Sequence, residues 1–394
     1  MPRAPEAPAR RRGVKILLGG VPLGCDNIGD EAILAGVCGM LRESLPGVSL
    51  TVCTADPGTA DLLGVETAPL FGFGALAGRK ARAAFAALAR CHDAYVWFGA
   101  TGLSDYPATG LGLLETAQAA GVPTFVWGVG MDDELNPVFF RASGRRKALL
   151  GAFGLVGAYE RRLRARLSRR LAATLPKCGG VWLRDPESAA ALAAAGFGNA
   201  RVAADSAILL ARDAAPARPA AAGRKPVLGL CFSAQRQIAD FDGARALVDA
   251  VRAAGFGLLG IPMNPKTDRA PLEALGVGCI SGTSPAAVMD AAAGCGAVLS
   301  SRLHLLILAA AAGTPGLGIA RGSKVANWLA NFGEKPLGNV KDCDWKAATG
   351  AVLHTLRERG DWDARRAAVF AKLRARLETA RAEFVSALAA SRKR

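Results

Sequence analysis

Two side chains suited to anion binding and proton transfer lie two positions apart in the second half of the chain. Arg302 and His304 follow the apolar run at 297–300 and precede an alanine-rich segment. An arginine among valine, leucine and isoleucine is partly desolvated, and it is tolerated only beside an anion or a hydrogen-bond acceptor. A small dianion would satisfy Arg302, and His304 could transfer a proton near neutral pH. The spacing alone leaves a structural pairing with a protein carboxylate open.

Glycine-rich loops that carry carboxylates follow apolar runs in the first half of the chain. The loop at 19–34 contains Asn27, Asp30 and Glu31, and the loop at 97–105 ends in Asp105. A third glycine-rich turn lies at 127–131. Neither a dinucleotide fingerprint nor a P-loop has this spacing. The loops predict a substrate cleft, although helix capping alone would also explain Asp30.

Further cations follow two other apolar runs. Arg184 precedes Asp185 and a helix that Asp185 or Ser188 would cap, so a local ion pair is as consistent with the sequence as ligand binding. Lys324 lies at the start of a helix, where it would bind phosphate beside the N-terminal amides or remain a surface lysine.

Short apolar runs alternate with helical patterns along the chain, which indicates an α/β fold built from βα units. A Pro/Ala/Arg stretch at 211–226 separates two series of such units, and 394 residues are too many for one ordinary core. We therefore expect two Rossmann-like domains, 14–210 and 227–345, joined by the linker 211–226 and followed by a helical segment at 346–394. Strands are predicted at 14–18, 49–53, 94–98, 124–129, 180–183, 202–204, 227–232, 257–261, 278–280, 297–300 and 316–319.

The net charge of +16 is concentrated in a few segments. Residues 141–184 carry 12 Lys and Arg against one Glu. Within them, a helix at 159–175 repeats Tyr159, Leu163 and Leu167 every fourth residue with arginines between. The helix is either a solvated face over a leucine stripe or a surface for an anionic membrane or a polyphosphate. Nucleic acid is not expected, because aromatic residues do not interleave with the arginines and no binding motif is visible.

Targeting and ligand patterns are sparse. The apolar run at 14–18 is too short for a signal peptide, and no run approaches a membrane span. The nine cysteines have no CxxC spacing, so we expect reduced thiols in a cytoplasmic protein and no metal site.

Taken in order, these motifs resemble the polysaccharide pyruvyl transferase family over about residues 14–335. The resemblance rests on N-x-G-D-E-A-I-L at 27–34, the glycine turn ending in Asp105, R-D-x-x-S at 184–188, A-D-S-A at 204–207, the I-P-M loop at 261–269, and R-L-H with its downstream proline and Lys324. Two segments depart from the usual pattern of this family, Gly99-Ala100-Thr101-Gly102 and Cys25-Asp26. These departures bear on the identity of the acceptor more than on the resemblance itself.

The resemblance implies a glycosyltransferase-B-like fold that transfers the pyruvyl group of phosphoenolpyruvate to a sugar of a cell-surface polysaccharide or its precursor, with ketal formation and phosphate release. No separate cofactor or metal is expected. The acceptor is left open as a lipid-linked saccharide, a polymer or a nucleotide sugar, and with a lipid-linked acceptor the enzyme would contact the inner face of the cytoplasmic membrane. The oligomeric state is left open. The catalytic residues would be His304, Asp30 and Glu31, with substrate bound by Arg302, Leu303, Arg184, Lys324, Asn27, Gly29 and Asp105.

Two other functions remain open from the sequence. A nucleotide-sugar glycosyltransferase would share the two-domain fold, because a fold does not determine the reaction. A non-catalytic saccharide-binding protein would retain the cleft and lack turnover. Binding of UDP or GDP would support the first, and wild-type turnover no higher than that of a His304 variant would support the second.

Overall fold

A parallel seven-stranded sheet forms the first half of the protein. The computed structural model describes residues 13–132, 134–211, 225–234 and 237–392. The strand order is β3-β2-β1-β4-β5-β6-β7, and every neighbouring pair is parallel. The strands are β1 (Lys15–Gly19), β2 (Ser49–Thr54), β3 (Glu66–Pro69), β4 (Ala94–Phe98), β5 (Thr124–Val129), β6 (Gly180–Leu183) and β7 (Arg201–Val202).

A second parallel sheet of four strands lies in the other half, in the order β11-β10-β8-β9. Both sheets reverse their strand order beside their first strand, which in open α/β sheets is where ligands bind. The strands are β8 (Val227–Cys231), β9 (Gly257–Gly260), β10 (Ala297–Ser300) and β11 (Gly316–Gly318), with a separate antiparallel pair β12 (Gly338–Asn339) and β13 (Asp342–Cys343).

Helices cover both faces of each sheet. Three 3₁₀ helices, Gly74–Ala77, Leu175–Lys177 and Ser206–Leu210, supplement them. The α-helices are α1 (Ile28–Ser44), α2 (Gly58–Leu63), α3 (Arg79–Ala89), α4 (Gly102–Asp105), α5 (Pro107–Ala119), α6 (Pro137–Phe140), α7 (Gly144–Ala152), α8 (Val156–Thr174), α9 (Pro186–Ala194), α10 (Phe241–Ala253), α11 (Arg269–Ala274), α12 (Pro285–Ala293), α13 (Leu303–Ala311), α14 (Ser323–Ala330), α15 (Trp345–Arg357) and α16 (Trp362–Ser391).

Alternate strand residues build separate cores on the two faces of the first sheet. Ile16 and Leu18 face one cluster, whereas Leu17 faces the other, as the two-residue period of a strand requires. The cluster with Ile16 continues into α12 and α13 of the second half. This shared apolar core holds the two halves together behind the cleft.

The last helix, α16, returns to the first sheet. Phe384 packs its ring edge against Phe125, Trp127 and Trp182, at centroid distances of 5.1–5.7 Å. Trp182 Nε1 donates a 2.9 Å hydrogen bond to Glu383. The helical segment predicted at 346–394 contains α15, which packs on the second half, and α16, which packs against the first.

The α/β architecture with facing parallel sheets and C-terminal helices is confirmed, and most predicted strands lie within two residues of the observed ones. The strand predicted at 278–280 is wrong: only Cys279 makes an isolated bridge, to Gly260. The basic helix predicted at 159–175 is α8, whose Leu167 and Leu171 are buried. Residues 212–224, most of the predicted linker, lie outside the described residues.

Candidate active site

The main candidate cavity lies between the two sheets, at the carboxyl ends of their strands, and has a volume of about 250 Å³. Loops after β1 and β4 meet loops after β9, β10 and β11 there. The cavity is lined by Pro22, Cys25, Asn27, Asp30, Ala100, Thr101, Asp105, Tyr106, Arg184, Met263, Asn264, Arg302, Leu303, His304, Arg321 and Lys324.

Asp30 is a buried carboxylate in the first turn of α1. Asn27 precedes the helix, but its side chain does not cap the backbone; it donates a 2.7 Å hydrogen bond to Asp30 Oδ2 instead. Burial raises the pKa of Asp30 to about 6, although His304 and the Asn27 bond act against the rise. A carboxyl group with this pKa is suited to proton transfer near neutral pH, so capping is not the only role open to Asp30.

His304 lies in the first turn of α13, beside Asp205. Its Nε2 is 3.3 Å from Asp205 Oδ2, an ion-pair distance without hydrogen-bond alignment. Burial alone would raise the pKa of Asp205, but His304 and then Arg184 outweigh it, and the pKa lies below its usual value. The Asp205 carboxylate beside Nε2 can fix the orientation of the ring, as an acid–base histidine requires.

Gly29 leaves room for the other side of the imidazole. A Cβ at this helical position would lie 2.4 Å from His304 Nδ1 and 2.6 Å from Cγ. Gly29 does not line the cavity, so we interpret its role as permitting close approach of α1 to His304 rather than direct contact with substrate.

We expect Gly29→Ala to lower kcat about tenfold or more, because a displacement of about 1 Å at a reacting group can cost on the order of 10²-fold. Gly39→Ala in the same helix is the matched control, since a Cβ there meets nothing within 4 Å. Steady-state rates and thermal melts of both variants are the measurement. Equal kcat values in the two would contradict the packing role of Gly29.

Arg302 is paired with a protein carboxylate and also lines the cavity. Its Nε and Nη2 donate to the two oxygens of Asp268, at 2.9 and 2.7 Å, and Asp268 is fully buried. The structural pairing that the sequence left open is therefore present. The side of the guanidinium bearing Nε and Nη2 is taken by Asp268, and a cavity ligand can reach only its outer N–H groups.

Three more cations line the cavity. Arg184 Nε is bound to Asp185 at 3.0 Å, and Asp185 caps α9 by accepting from Ser188 N. Arg321 Nη1 donates to Ser233 at 2.5 Å. Burial lowers the pKa of Lys324, and the neighbouring Arg321 acts in the same direction. These cations give one wall of the cavity a positive charge.

Contacts across the cleft fix the start of α14. Asp132, after β5, accepts hydrogen bonds from Ser323 Oγ at 2.5 Å and from Lys324 N at 3.3 Å. Lys324 Nζ lies 4.0 Å from Asp132 Oδ2. A first-half carboxylate thus positions a second-half lysine in the cavity.

Glu31 was predicted as a catalytic base, and the structure places it outside the cavity lining. Burial, followed by the nearby Asp56, raises the pKa of Glu31 to about 7. Consecutive residues on a helix point about 100° apart, so Asp30 and Glu31 face different surroundings. Asp105, the other predicted acid, does line the cavity, and Thr101 Oγ1 hydrogen-bonds to it.

Several cavity residues were missing from the predicted set. Tyr106 lines the cavity, and burial raises the pKa of its phenol well above the usual value, so it stays a proton donor. Arg321 lines it as well. Asp205 lies beside His304 and Asp268 pairs with Arg302, although neither aspartate lines the cavity itself. The A-D-S-A motif was a signal for Asp205, and the I-P-M loop was one for Asp268.

A second cavity of about 250 Å³ adjoins the first, and Arg184, Leu303 and Lys324 contribute to both. Its outer wall includes Trp328 of α14 and Arg376 of α16. The site therefore offers two neighbouring spaces that share part of their walls. Leu303, predicted to contact substrate, lies between them.

Within the described ranges, no group of three or more His, Cys, Asp or Glu side chains is arranged to hold a metal ion. None of the helices in those ranges is sufficiently long and apolar to cross a membrane.

Solved structures similar to this chain share its fold. Anabaena HepE in complex with UDP-glucose is 16% identical with a TM-score of 0.57, covering 94% of this chain and 99% of that one. UDP-GlcNAc 2-epimerase from Neisseria meningitidis bound to UDP-GlcNAc is 13% identical with a TM-score of 0.56, covering 95% and 99%. At these identities the likeness concerns the glycosyltransferase-B-like fold alone.

Comparison with curated protein sequences gives no match. The family model for polysaccharide pyruvyl transferase matches residues 27–323, from Asn27 to the Ser323 that binds Asp132. The match includes both sides of the cavity and most of the chain. The protein belongs to the polysaccharide pyruvyl transferase family.

Proposed function

We propose that this protein transfers the pyruvyl group of phosphoenolpyruvate to two hydroxyls of a sugar in a cell-surface polysaccharide or its precursor. The proposal rests on the observation that one cavity is lined both by four cationic side chains and by His304 and Asp30, the two candidates for proton transfer. Phosphoenolpyruvate is consumed as the donor, and the proposal includes no metal or further cofactor.

The cationic wall suits the charges of phosphoenolpyruvate. The donor carries a phosphate and a carboxylate on one carbon, and arginine N–H groups match both in geometry. Arg184, Arg321 and the outer edge of Arg302 would hold these groups, with Lys324 as a point charge. Asp185, Asp268 and Asp132 keep Arg184, Arg302 and Lys324 in position before the donor binds, and Ser233 does the same for Arg321.

The reaction balances with one donor, two hydroxyls and four proton movements. A proton added to the methylene carbon of phosphoenolpyruvate makes the carbon that bears the phosphate oxygen electrophilic, and the first hydroxyl adds there and loses its proton. The carbon–oxygen bond to phosphate then breaks, and the second hydroxyl adds and loses its proton. One released proton balances that on the new methyl group, and the other leaves with phosphate.

His304 and Asp30 have complementary tasks in this scheme. His304, which lies beside Asp205, would protonate the methylene carbon. Asp30 would accept a proton from an attacking hydroxyl, since a base works best with a pKa near the working pH. Asp105 is the second candidate base, and Asn27 and Tyr106 would orient the acceptor. Glu31 has no direct part.

We expect activity to rise as Asp30 loses its proton, with an acidic limb near pH 6 that Asp30→Asn removes together with most of the turnover. The pH profile of kcat/KM is the measurement. Glu31→Gln is the control, because Glu31 titrates near pH 7 outside the cavity. Loss of the pH 6 limb in Glu31→Gln but not in Asp30→Asn would contradict the assignment.

The stability of the fold should fall as pH rises, whereas activity should rise. The pKa of Asp30 is higher in the folded state than its ordinary 3.8, so the native protein binds more protons and loses stability as pH rises from about 4 to 6. Asp30→Asn avoids this loss of folding free energy, which is about 3 kcal/mol for a pKa raised from 3.8 to about 6. Urea unfolding at pH 4 and pH 8 should show the variant gaining stability relative to wild type at the higher pH.

The direct test of function is phosphate release from phosphoenolpyruvate in the presence of a panel of acceptor saccharides, free and lipid-linked. We expect release that depends on one acceptor class. Turnover of a UDP- or GDP-sugar, with phosphoenolpyruvate ignored, would support the glycosyltransferase alternative. A lipid-linked acceptor would bring the protein to the cytoplasmic face of the membrane.

A further inference from the structure

An exposed apolar surface lies between β5 and α8. We call Val138, Phe139, Leu149, Phe153 and Leu155 the apolar tip; each exposes between 48% and 76% of its surface. Among the described residues, the only other large hydrophobic side chain with comparable exposure is Leu62. Isolated exposed apolar residues are ordinary, but five within 18 positions mark an interaction surface.

The elements that carry the apolar tip form one unit. Helix α7 has no buried residue. It is held to α8 by Arg146 Nη1, which donates a 2.8 Å hydrogen bond to the Tyr159 hydroxyl, and the chain before it is held by Ala142 N, which donates to Glu160 at 3.1 Å. The tip is therefore presented on a base formed by α8, and the protein itself does not cover it.

Exposed cations lie on α7 and α8, the helices that carry and support the tip. Exposed Arg145 and Lys147 lie in α7, and exposed Arg161, Arg162 and Arg164 lie in α8; we call these five the basic collar. Glu160 is the only acidic residue from 141 to 184, and its side chain accepts a hydrogen bond from the Ala142 amide. Exposed apolar side chains on elements rich in lysine and arginine are typical of surfaces that lie in the interface of an anionic membrane.

The apolar tip begins beside the active cavity. Asn136 N donates to Ser104 O, and Asn136 Nδ2 donates to the main-chain oxygen of Asp105, both at 3.0 Å. Val138 N in turn donates to Asn136 Oδ1 at 3.0 Å. Two residues thus separate the tip from the loop that carries Asp105 into the cavity.

We propose that the apolar tip and the basic collar dock on the surface of an anionic phospholipid bilayer. The apolar side chains enter the boundary between headgroups and acyl chains, and the collar contacts the acidic headgroups. A second copy of the chain fits this surface less well, because a twofold contact through the tip would bring two basic collars together. Docking would present a lipid-linked acceptor to the cleft, a consequence that rests on the proposed function.

The test is co-sedimentation of the full chain with vesicles of phosphatidylcholine, alone or mixed with phosphatidylglycerol. We expect binding to the mixed vesicles only. The charge variant Arg145→Glu/Lys147→Glu should partition onto the mixed vesicles at least about tenfold less than wild type. The reason is that each cation near an anionic surface contributes to the free energy of binding. The apolar variant Val138→Ser/Phe139→Ser/Phe153→Ser should lose a comparable amount. Matched controls on the exposed surface are Leu62→Ser and Arg79→Glu/Lys80→Glu, which should bind as wild type.

Three outcomes would overturn the docking proposal: no binding of wild type to the mixed vesicles, equal binding by the tip variants, or a dimer in sedimentation velocity that the apolar variant dissociates. Phosphate release with a water-soluble acceptor, measured without vesicles, should be the same in wild type and both variants. Vesicle binding without phosphate release from any acceptor would support docking and contradict the proposed function, so the two can fail separately.

Discussion

Replacement of His304 by alanine is expected to lower kcat for phosphate release by about 10²–10⁴-fold, the usual contribution of one general acid or base. The reason is geometric: His304 lines the cavity, Asp205 lies at its Nε2, and α1 approaches its other side at Gly29. Binding of phosphoenolpyruvate should change little, because the cationic side chains remain. Stopped-flow or steady-state phosphate release, with calorimetry for donor binding, separates these two quantities.

The control for His304 is another histidine of the same chain. His354→Ala removes an exposed imidazole in α15 and should leave kcat unchanged. Asp205→Asn should lower kcat less than His304→Ala, since it removes the carboxylate beside Nε2 without removing the ring. Near-normal turnover in His304→Ala with its true acceptor would contradict the role assigned to this histidine.

Arg302→Lys is expected to have two effects at once, a loss of stability and weaker binding of phosphoenolpyruvate. Lysine keeps the positive charge but cannot reproduce the two parallel hydrogen bonds to Asp268, and losing a charge-assisted hydrogen bond costs about 1.5–3 kcal/mol in unfolding free energy. The outer N–H groups facing the cavity are lost as well, so we expect donor affinity to fall at least tenfold, about 1.4 kcal/mol. Urea unfolding and calorimetry measure the two effects.

Arg359→Lys is the matched control for Arg302→Lys. Arg359 binds Asp363 through the same two nitrogens, at 3.0 and 2.8 Å, but Asp363 is exposed and Arg359 is partly exposed, with Nη2 also donating to Gly313 O. An exposed pair contributes about 0–1 kcal/mol, and donor affinity should not change. Unchanged affinity in Arg302→Lys, under conditions where the variant is folded, would show that Arg302 acts only as a partner of Asp268.

The parallel strands could be predicted because fully buried strands are continuous apolar runs bounded by glycine or proline. Strand β3 does not meet this criterion and was not predicted, because Ala68 is its only buried residue. The run at 278–280 met the criterion and still failed, because only one of its residues pairs with the edge of the second sheet. The return of α16 to the first sheet depends on a contact between Phe384 and distant aromatic residues, which no local pattern encodes.

The sequence patterns identified most of the residues that line the cleft. They did not identify the side chains with which those residues form ion pairs. Asp30, Asp105, Arg184, Arg302, His304 and Lys324 all line one cavity. The bidentate pair of Arg302 with Asp268 spans 34 positions and joins loops after different strands, so spacing could not predict it. Helical periodicity would have separated Asp30 from Glu31 only if the direction of the cleft had been known.

The most direct test of the central claim follows the fate of the donor carbon. Phosphoenolpyruvate labelled with carbon-13 at the carbon bearing the phosphate is incubated with the protein and an acceptor saccharide, and carbon and phosphorus NMR spectra are recorded together. We expect the enol signal to be replaced by the signal of a ketal carbon attached to sugar, with one inorganic phosphate released for each ketal formed. An unchanged enol signal across the acceptor panel, while a nucleotide sugar is consumed, would contradict it.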